Sequence, residues 1–185
     1  MKRFTLALAL GLSVMALAVS CASTQDKKDT VRLVTYNVGV FGKWDLSSED
    51  YTATLMKELD PDAIALQELD SCTTRSGVER FQAETFAAAM GENWGHSYGY
   101  ALKSYKEGSY GIGEVWNKDR MKMKNVFKVM LPKGEAREER ALLVVEYENM
   151  VFASTHLNGN ATSLQPSVEI ITETLKAKYG ESDMP

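Results

Sequence analysis

Residues 61–68 read Pro-Asp-Ala-Ile-Ala-Leu-Gln-Glu, and the reading of this stretch decides the fold. An apolar run of this length, opened by a proline, predicts a buried strand that delivers Glu68 at its end. Two other segments share the design. Residues 31–36 (Val-Arg-Leu-Val-Thr-Tyr) lead to Asn37, and residues 151–155 (Val-Phe-Ala-Ser-Thr) lead to His156. Chemistry in α/β folds gathers where strands end, because a rigid strand aims a side chain into the crevice above the sheet. A carboxylate, a carboxamide and an imidazole delivered in this way suit a hard divalent cation and a phosphate.

Working outward, residues 31–36 read as a buried strand. Ser47-Ser48-Glu49-Asp50 supplies an N-cap and an acidic first turn. Leu46, Tyr51, Leu55 and Leu59 then recur at helical spacing, and Asp60-Pro61 stops the helix. Strand, helix and strand form a β-α-β unit, for which a parallel pair is expected. A second helix is expected from Ser76-Gly77, with Val78, Phe81, Phe86 and Met90 on its buried face and Gly91 closing it. Strand-like runs follow at 97–102, 110–116, 123–129, 141–147 and 150–155, and Glu148-Asn149 signals a hairpin between the last two. A final helix is expected over 163–179, with Leu164, Val168, Ile171 and Leu175 on one face, Pro166 in its first turn and Gly180 as its cap. Mixed strands with helices packed outside predict an α+β or α/β sandwich.

The N-terminus reads as a targeting signal over residues 1–20. Lys2 and Arg3 form its charged region, residues 4–18 its apolar core, and Val19-Ser20-Cys21 its processing site. A cysteine behind small residues resembles a bacterial lipoprotein box, which implies cleavage before Cys21 and lipidation of its sulfur. The expected location is then the bacterial cell envelope, with two or more acyl chains holding the protein to a membrane. Residues 21–29 read as a polar tether, and 30–185 as one domain. Loss of Lys2 and Arg3 takes the formal charge from −4 to −6. An acidic balance argues against non-specific nucleic-acid binding, which needs a basic face. With Cys21 lipidated, Cys72 has no partner, so a disulfide scaffold is excluded and Cys72 reads as a small, buried or half-buried thiol.

Each candidate side chain has a chemical reading and a plainer one. Glu68 at the end of an apolar strand calls for a cation or donors, and would otherwise be a solvated carboxylate. Asn37 could give its carbonyl to a metal, hold Glu68 in place, or simply make the turn ahead of Gly39. His156 could donate to a phosphoryl oxygen or act as a general acid, or be structural, the role read for His96.

In order along the chain, residues 33–38 (Leu-Val-Thr-Tyr-Asn-Val), 61–68, 110–113 (Tyr-Gly-Ile-Gly), 140–143 (Arg-Ala-Leu-Leu) and 154–157 (Ser-Thr-His-Leu) resemble the motifs of the endonuclease/exonuclease/phosphatase superfamily. The resemblance implies a four-layer α/β/β/α sandwich and hydrolysis of a phosphodiester or phosphomonoester with Mg²⁺ or Mn²⁺. It implies that Glu68 and Asn37 belong to the metal site, that His156 contacts the scissile phosphate, that Tyr110 lies near it and that Arg140 supports it from a strand. The superfamily's later Gly-Asp-x-Asn and Ser-Asp-His motifs do not occur in this sequence, so the expected domain is C-terminally incomplete, with sheet edges left open. Glu114-Val115-Trp116-Asn117 and Asn158-Gly159-Asn160 depart from the usual pattern. The expected substrate is a small phosphoester or lipid headgroup more than DNA, with no obligate protein partner. The alternative is a surface lipoprotein that keeps the fold for binding and has lost catalysis.

Overall fold

The computed structural model describes residues 30–43, 48–183 and 185. The expected signal peptide, the tether, Cys21 and Leu46 lie outside the described residues.

Two sheets stack between helices. The first contains β1 (Leu33–Asn37), β2 (Ala63–Ser71), β3 (Trp94–Tyr105) and β4 (Gly108–Asn117) in the order β1-β2-β4-β3. The second contains β5 (Met123–Leu131), β6 (Arg140–Tyr147) and β7 (Val151–Thr155) in sequence order. β1 and β2 run parallel and the remaining pairs antiparallel, as the β-α-β reading predicts. Helices α1 (Glu49–Leu59) and α2 (Gln82–Met90) cover the first sheet, where Ala53, Met56, Phe86 and Met90 pack on Ile64, Leu66 and Val115. Helix α3 (Ala161–Tyr179) covers the second, with Ile170, Ile171, Leu175 and Tyr179 against Leu131, Leu142 and Val144. Between the sheets lie Ile112, Trp116, Leu143, Val145 and Tyr147. The result is the expected α/β/β/α layering.

Local chemistry explains the boundaries. Ser48 caps α1 by accepting from the Tyr51 N–H, and Asp60 ends it in the left-handed region ahead of Pro61. Asn160 caps α3 by accepting from the Thr162 N–H. Tyr147 N–H donates to Met150 O, closing the hairpin that Glu148-Asn149 signals. β4 runs between β2 and β3 and needs Gly111, since a Cβ there would stand 2.2 Å from Gly99 O.

Several expectations are corrected. β1 is largely exposed, including Val31 before it and Leu33 and Tyr36 within it; it is the outer strand of its sheet, not a buried one. Helix α1 buries Thr52, Ala53 and Met56 and leaves Tyr51, Leu55 and Leu59 exposed, because its small residues permit the closer approach. Helix α2 starts at Gln82 and not at Ser76, so Val78 stays exposed in the turns that precede it. Pro166 lies in the second turn of α3, and Leu164 and Val168 are exposed. The carbonyl that Pro166 cannot bond belongs to Thr162, and Gly134 packs so tightly on it that a Cβ would stand at 2.5 Å. Past α3 the chain comes back to β7, where Val151 N–H donates to Pro185 O.

Candidate active site

Glu68 is not at the end of its strand. Along β2, Ile64 and Leu66 face the helices, and strict alternation would send residue 68 the same way. The register with β4 shifts between Gln67 and Leu69, and Glu68 takes φ +61°. Leu69 thereby occupies the core position, and the carboxylate turns into a cavity at one end of the sandwich. A bulge re-aims a side chain in this way, and a positive φ at a non-glycine residue persists only where its surroundings hold it.

The loop after β1 is held just as firmly. Gly39, Val40 and Phe41 all have positive φ. Gln82, fully buried at the start of α2, donates to Val40 O at 2.7 Å and accepts from Asp70 N–H at 2.7 Å. One amide thus ties the loop to β2 and sets Val40 and Lys43 on the cavity rim. Asn37 donates its Nδ2 to Glu68 Oε1 at 3.0 Å, while its Oδ1 accepts from Gly39 N–H at 3.0 Å. It therefore positions the carboxylate and makes the turn at the same time. Lys43 Nζ stands 3.4 Å from Glu68 Oε2. Burial pushes the Glu68 carboxyl upward, but the Asn37 and Lys43 bonds outweigh it and leave the group below its ordinary range, hence ionised.

The opposite wall comes from the second sheet and the β3–β4 hairpin. Arg140 opens β6, with Nη1 3.2 Å from Glu138 Oε2 and Nε donating to Asn158 Oδ1 at 3.1 Å. Asn158 Nδ2 donates in turn to Glu138 O at 2.9 Å, so the departure noted at 158–160 holds Arg140 in place. Tyr110 is buried, and burial pushes its hydroxyl far above the usual phenol range, so it stays a neutral donor within hydrogen-bonding reach of Arg140. His156 follows β7 half-buried. Burial and then the Arg140 charge lower its pKa, against the opposing pull of Glu68, so the ring is neutral at pH 7.

Glu68, Tyr110 and Arg140 line one cavity of about 430 Å³. Asn37 joins them through Glu68, and His156 joins them through the field of Arg140 and Glu68. A larger depression of about 790 Å³ beside the end of α3 includes none of these groups. The cavity also contains Lys43, Arg75, Tyr105 and Glu138, which the sequence reading passed over. Arg75 bonds Asp70, only five residues away, and the hydroxyls of Thr73 and Ser76 bond it too; the polar run 70–76 was the available signal.

Among the described residues, no three His, Cys, Asp or Glu side chains gather as a metal cage. A Mg²⁺ site does not require one, since this ion is held by one or two carboxylates together with waters and substrate phosphate. Glu68 fits that role: it is ionised, fixed by Asn37 and already faces a cationic ammonium.

No protein-family model matches the chain, and neither does any curated protein. Solved structures do match. An endonuclease/exonuclease/phosphatase from Beutenbergia cavernae shares 18% identity with a TM-score of 0.61, over 80% of this chain and 45% of that one. A family protein from Leptotrichia buccalis shares 15% identity with a TM-score of 0.59, over 78% and 63%. The mannosyl-6-phosphatase of Bacteroides thetaiotaomicron shares 12% identity with a TM-score of 0.67, over 84% and 62%. The chain has the endonuclease/exonuclease/phosphatase fold, and it spans about half to under two thirds of the length of these structures.

Proposed function

We propose that this chain belongs to a membrane-anchored phosphoesterase that hydrolyses a phosphodiester or phosphomonoester with Mg²⁺ or Mn²⁺ held on Glu68. The observation that carries this reading is the bulge that diverts Glu68 out of the core and into a cavity shared with Arg140 and Tyr110. Asn37 fixes the carboxylate. Arg140 offers a planar cation that matches phosphate, Tyr110 a neutral hydroxyl and His156 a neutral N–H, three donors for phosphoryl oxygens. The cation, when bound, neutralises charge that grows on those oxygens in the transition state. Lipidation of Cys21 would place the protein on the bacterial cell envelope, and a cavity of this size suits a small phosphoester or a headgroup better than a duplex. The sugar-phosphate chemistry in the name of the Bacteroides thetaiotaomicron neighbour agrees with that choice.

The test is hydrolysis of p-nitrophenyl phosphate and bis(p-nitrophenyl) phosphate by the full chain in Mg²⁺. Turnover that needs Mg²⁺ and drops about 100-fold or more in Glu68→Gln is the expected result. Turnover unchanged in that variant would overturn the assignment. A second reading, ligand binding without catalysis, is favoured by the pairing of both cavity carboxylates with cations, Glu68 with Lys43 and Glu138 with Arg140. Saturable Mg²⁺ binding with no turnover of either substrate would select it.

A further inference from the structure

Arg75 is more elaborately held than a rim cation needs to be. Its Nε donates to Asp70 Oδ2 at 2.7 Å and its Nη2 to Asp70 Oδ1 at 2.8 Å. Asp70 is wholly buried and also accepts from Thr73 Oγ1 at 2.8 Å and Ser76 Oγ at 2.6 Å. The Arg75 Nη1 donates to the Tyr105 hydroxyl at 3.4 Å. The guanidinium lies over two rings, 5.0 Å from the centroid of Tyr105 and 5.4 Å from that of Tyr110. Its Nε edge is locked to Asp70 and its Nη1 is tied to Tyr105, so the group cannot rotate freely. Of the five guanidinium N–H groups, these bonds use three, and the remaining two belong to Nη1 and Nη2. The side chain is 34% exposed and lines the Glu68 cavity. A firmly held, always-charged guanidinium with two unspent N–H donors suits a carboxylate or phosphate oxygen.

We propose that Arg75 is a specificity-determining residue whose unspent Nη1 and Nη2 N–H groups bind a second oxyanion, a phosphoryl or carboxylate group, on the part of the phosphoester that is not hydrolysed. The inference rests on the phosphoester reading of the Glu68 site. Asp70, Thr73 and Ser76 act as positioning residues beneath it. Tyr105 orients Nη1, and the rings of Tyr105 and Tyr110 pack beside the cation.

The test uses calorimetric binding to the full chain in excess Mg²⁺, with three probes: propyl phosphate, propanediol bisphosphate and glycerol phosphate. The wild-type chain should bind the bisphosphate about 10- to 100-fold more tightly than propyl phosphate, the range of one bidentate charged contact. Arg75→Lys keeps the charge and loses the fork. Because Arg75 partners a buried carboxylate, the double variant Asp70→Asn with Arg75→Gln provides a neutral pair should the single variant unfold. Both should cut the preference to about threefold or less while propyl phosphate affinity stays within about twofold. An unchanged preference in both variants would overturn the proposal and leave the Glu68 reading intact. So would a gain for glycerol phosphate as large as that for the bisphosphate, since hydroxyls would then be the group recognised. Failure of every probe to bind the wild-type chain would remove the phosphoester reading and this proposal with it.

Discussion

Asp70 and Glu114 are both fully shut off from solvent on neighbouring strands of one sheet, yet they carry opposite charge states. Asp70 sits beside the cavity and accepts four side-chain bonds, two from Arg75 and one each from Thr73 and Ser76. Burial pushes its pKa up, but those donors outweigh burial, so the carboxyl is held below its usual range. Glu114 lies between the sheets and accepts one bond, from Tyr147 Oη at 2.5 Å, while its Oε2 has no partner. Burial dominates there and raises its pKa from an ordinary 4.5 to about 8. The difference teaches that donors and not depth decide whether a carboxylate stays charged in this fold. Glu68 stands on the Asp70 side of that divide, which is what a cation site requires.

The comparison can be broken in three places. The largest effect is expected at Asp70→Ala, which removes all four bonds and strands a partly buried Arg75. A loss of about 3–5 kcal/mol should appear in urea unfolding. A loss below about 1 kcal/mol would mean that the Arg75 network does not hold this end of the molecule.

Glu114 gives the next effect, through pH. Its folded pKa lies above the unfolded one, so its contribution is fully present below about pH 4.5 and is lost as the pH rises towards and past about 8. Stability should fall across that window, by at most about 1.4 kcal/mol per pH unit. Glu114→Gln keeps the shape and the Tyr147 bond, so its urea midpoint should show a flatter slope between pH 5 and pH 9. The same slope in both proteins would show that Glu114 is not the titrating group.

The smallest effect is expected at Ser154. Its buried hydroxyl has no partner, as is also true of Ser97. Ser154→Ala should therefore be neutral or stabilising by up to about 1 kcal/mol. A loss above about 1 kcal/mol would reveal a bond to this hydroxyl and weaken the contrast between a saturated and an unsaturated polar interior.

Local signals were legible wherever chemistry acts within a few residues. The apolar run before Glu68, the Ser48 cap, the Asp60-Pro61 stop and the Glu148-Asn149 hairpin all stand in the structure as read. Signals that depend on distant partners were not legible. The bulge at Glu68 exists because Leu69 wins the core position, a competition settled by the helices above. The exposed face of α1 carries larger apolar residues than its buried face, so periodicity pointed the wrong way. For the site, Asn37, Glu68, Tyr110, Arg140 and His156 were all marked in the sequence. Arg75 was not: the polar run 70–76 that clamps it was there to read, but its place on the cavity beside Tyr105 is set by a contact 30 residues along the chain.

The central claim is that the bulged Glu68 carboxylate holds a divalent cation. Titration of Mn²⁺ into the full wild-type chain and into Glu68→Gln, followed by electron paramagnetic resonance, tests it most directly. One saturable class of bound Mn²⁺ that disappears in Glu68→Gln is the predicted result. Binding with the same stoichiometry and affinity in the variant would contradict the account.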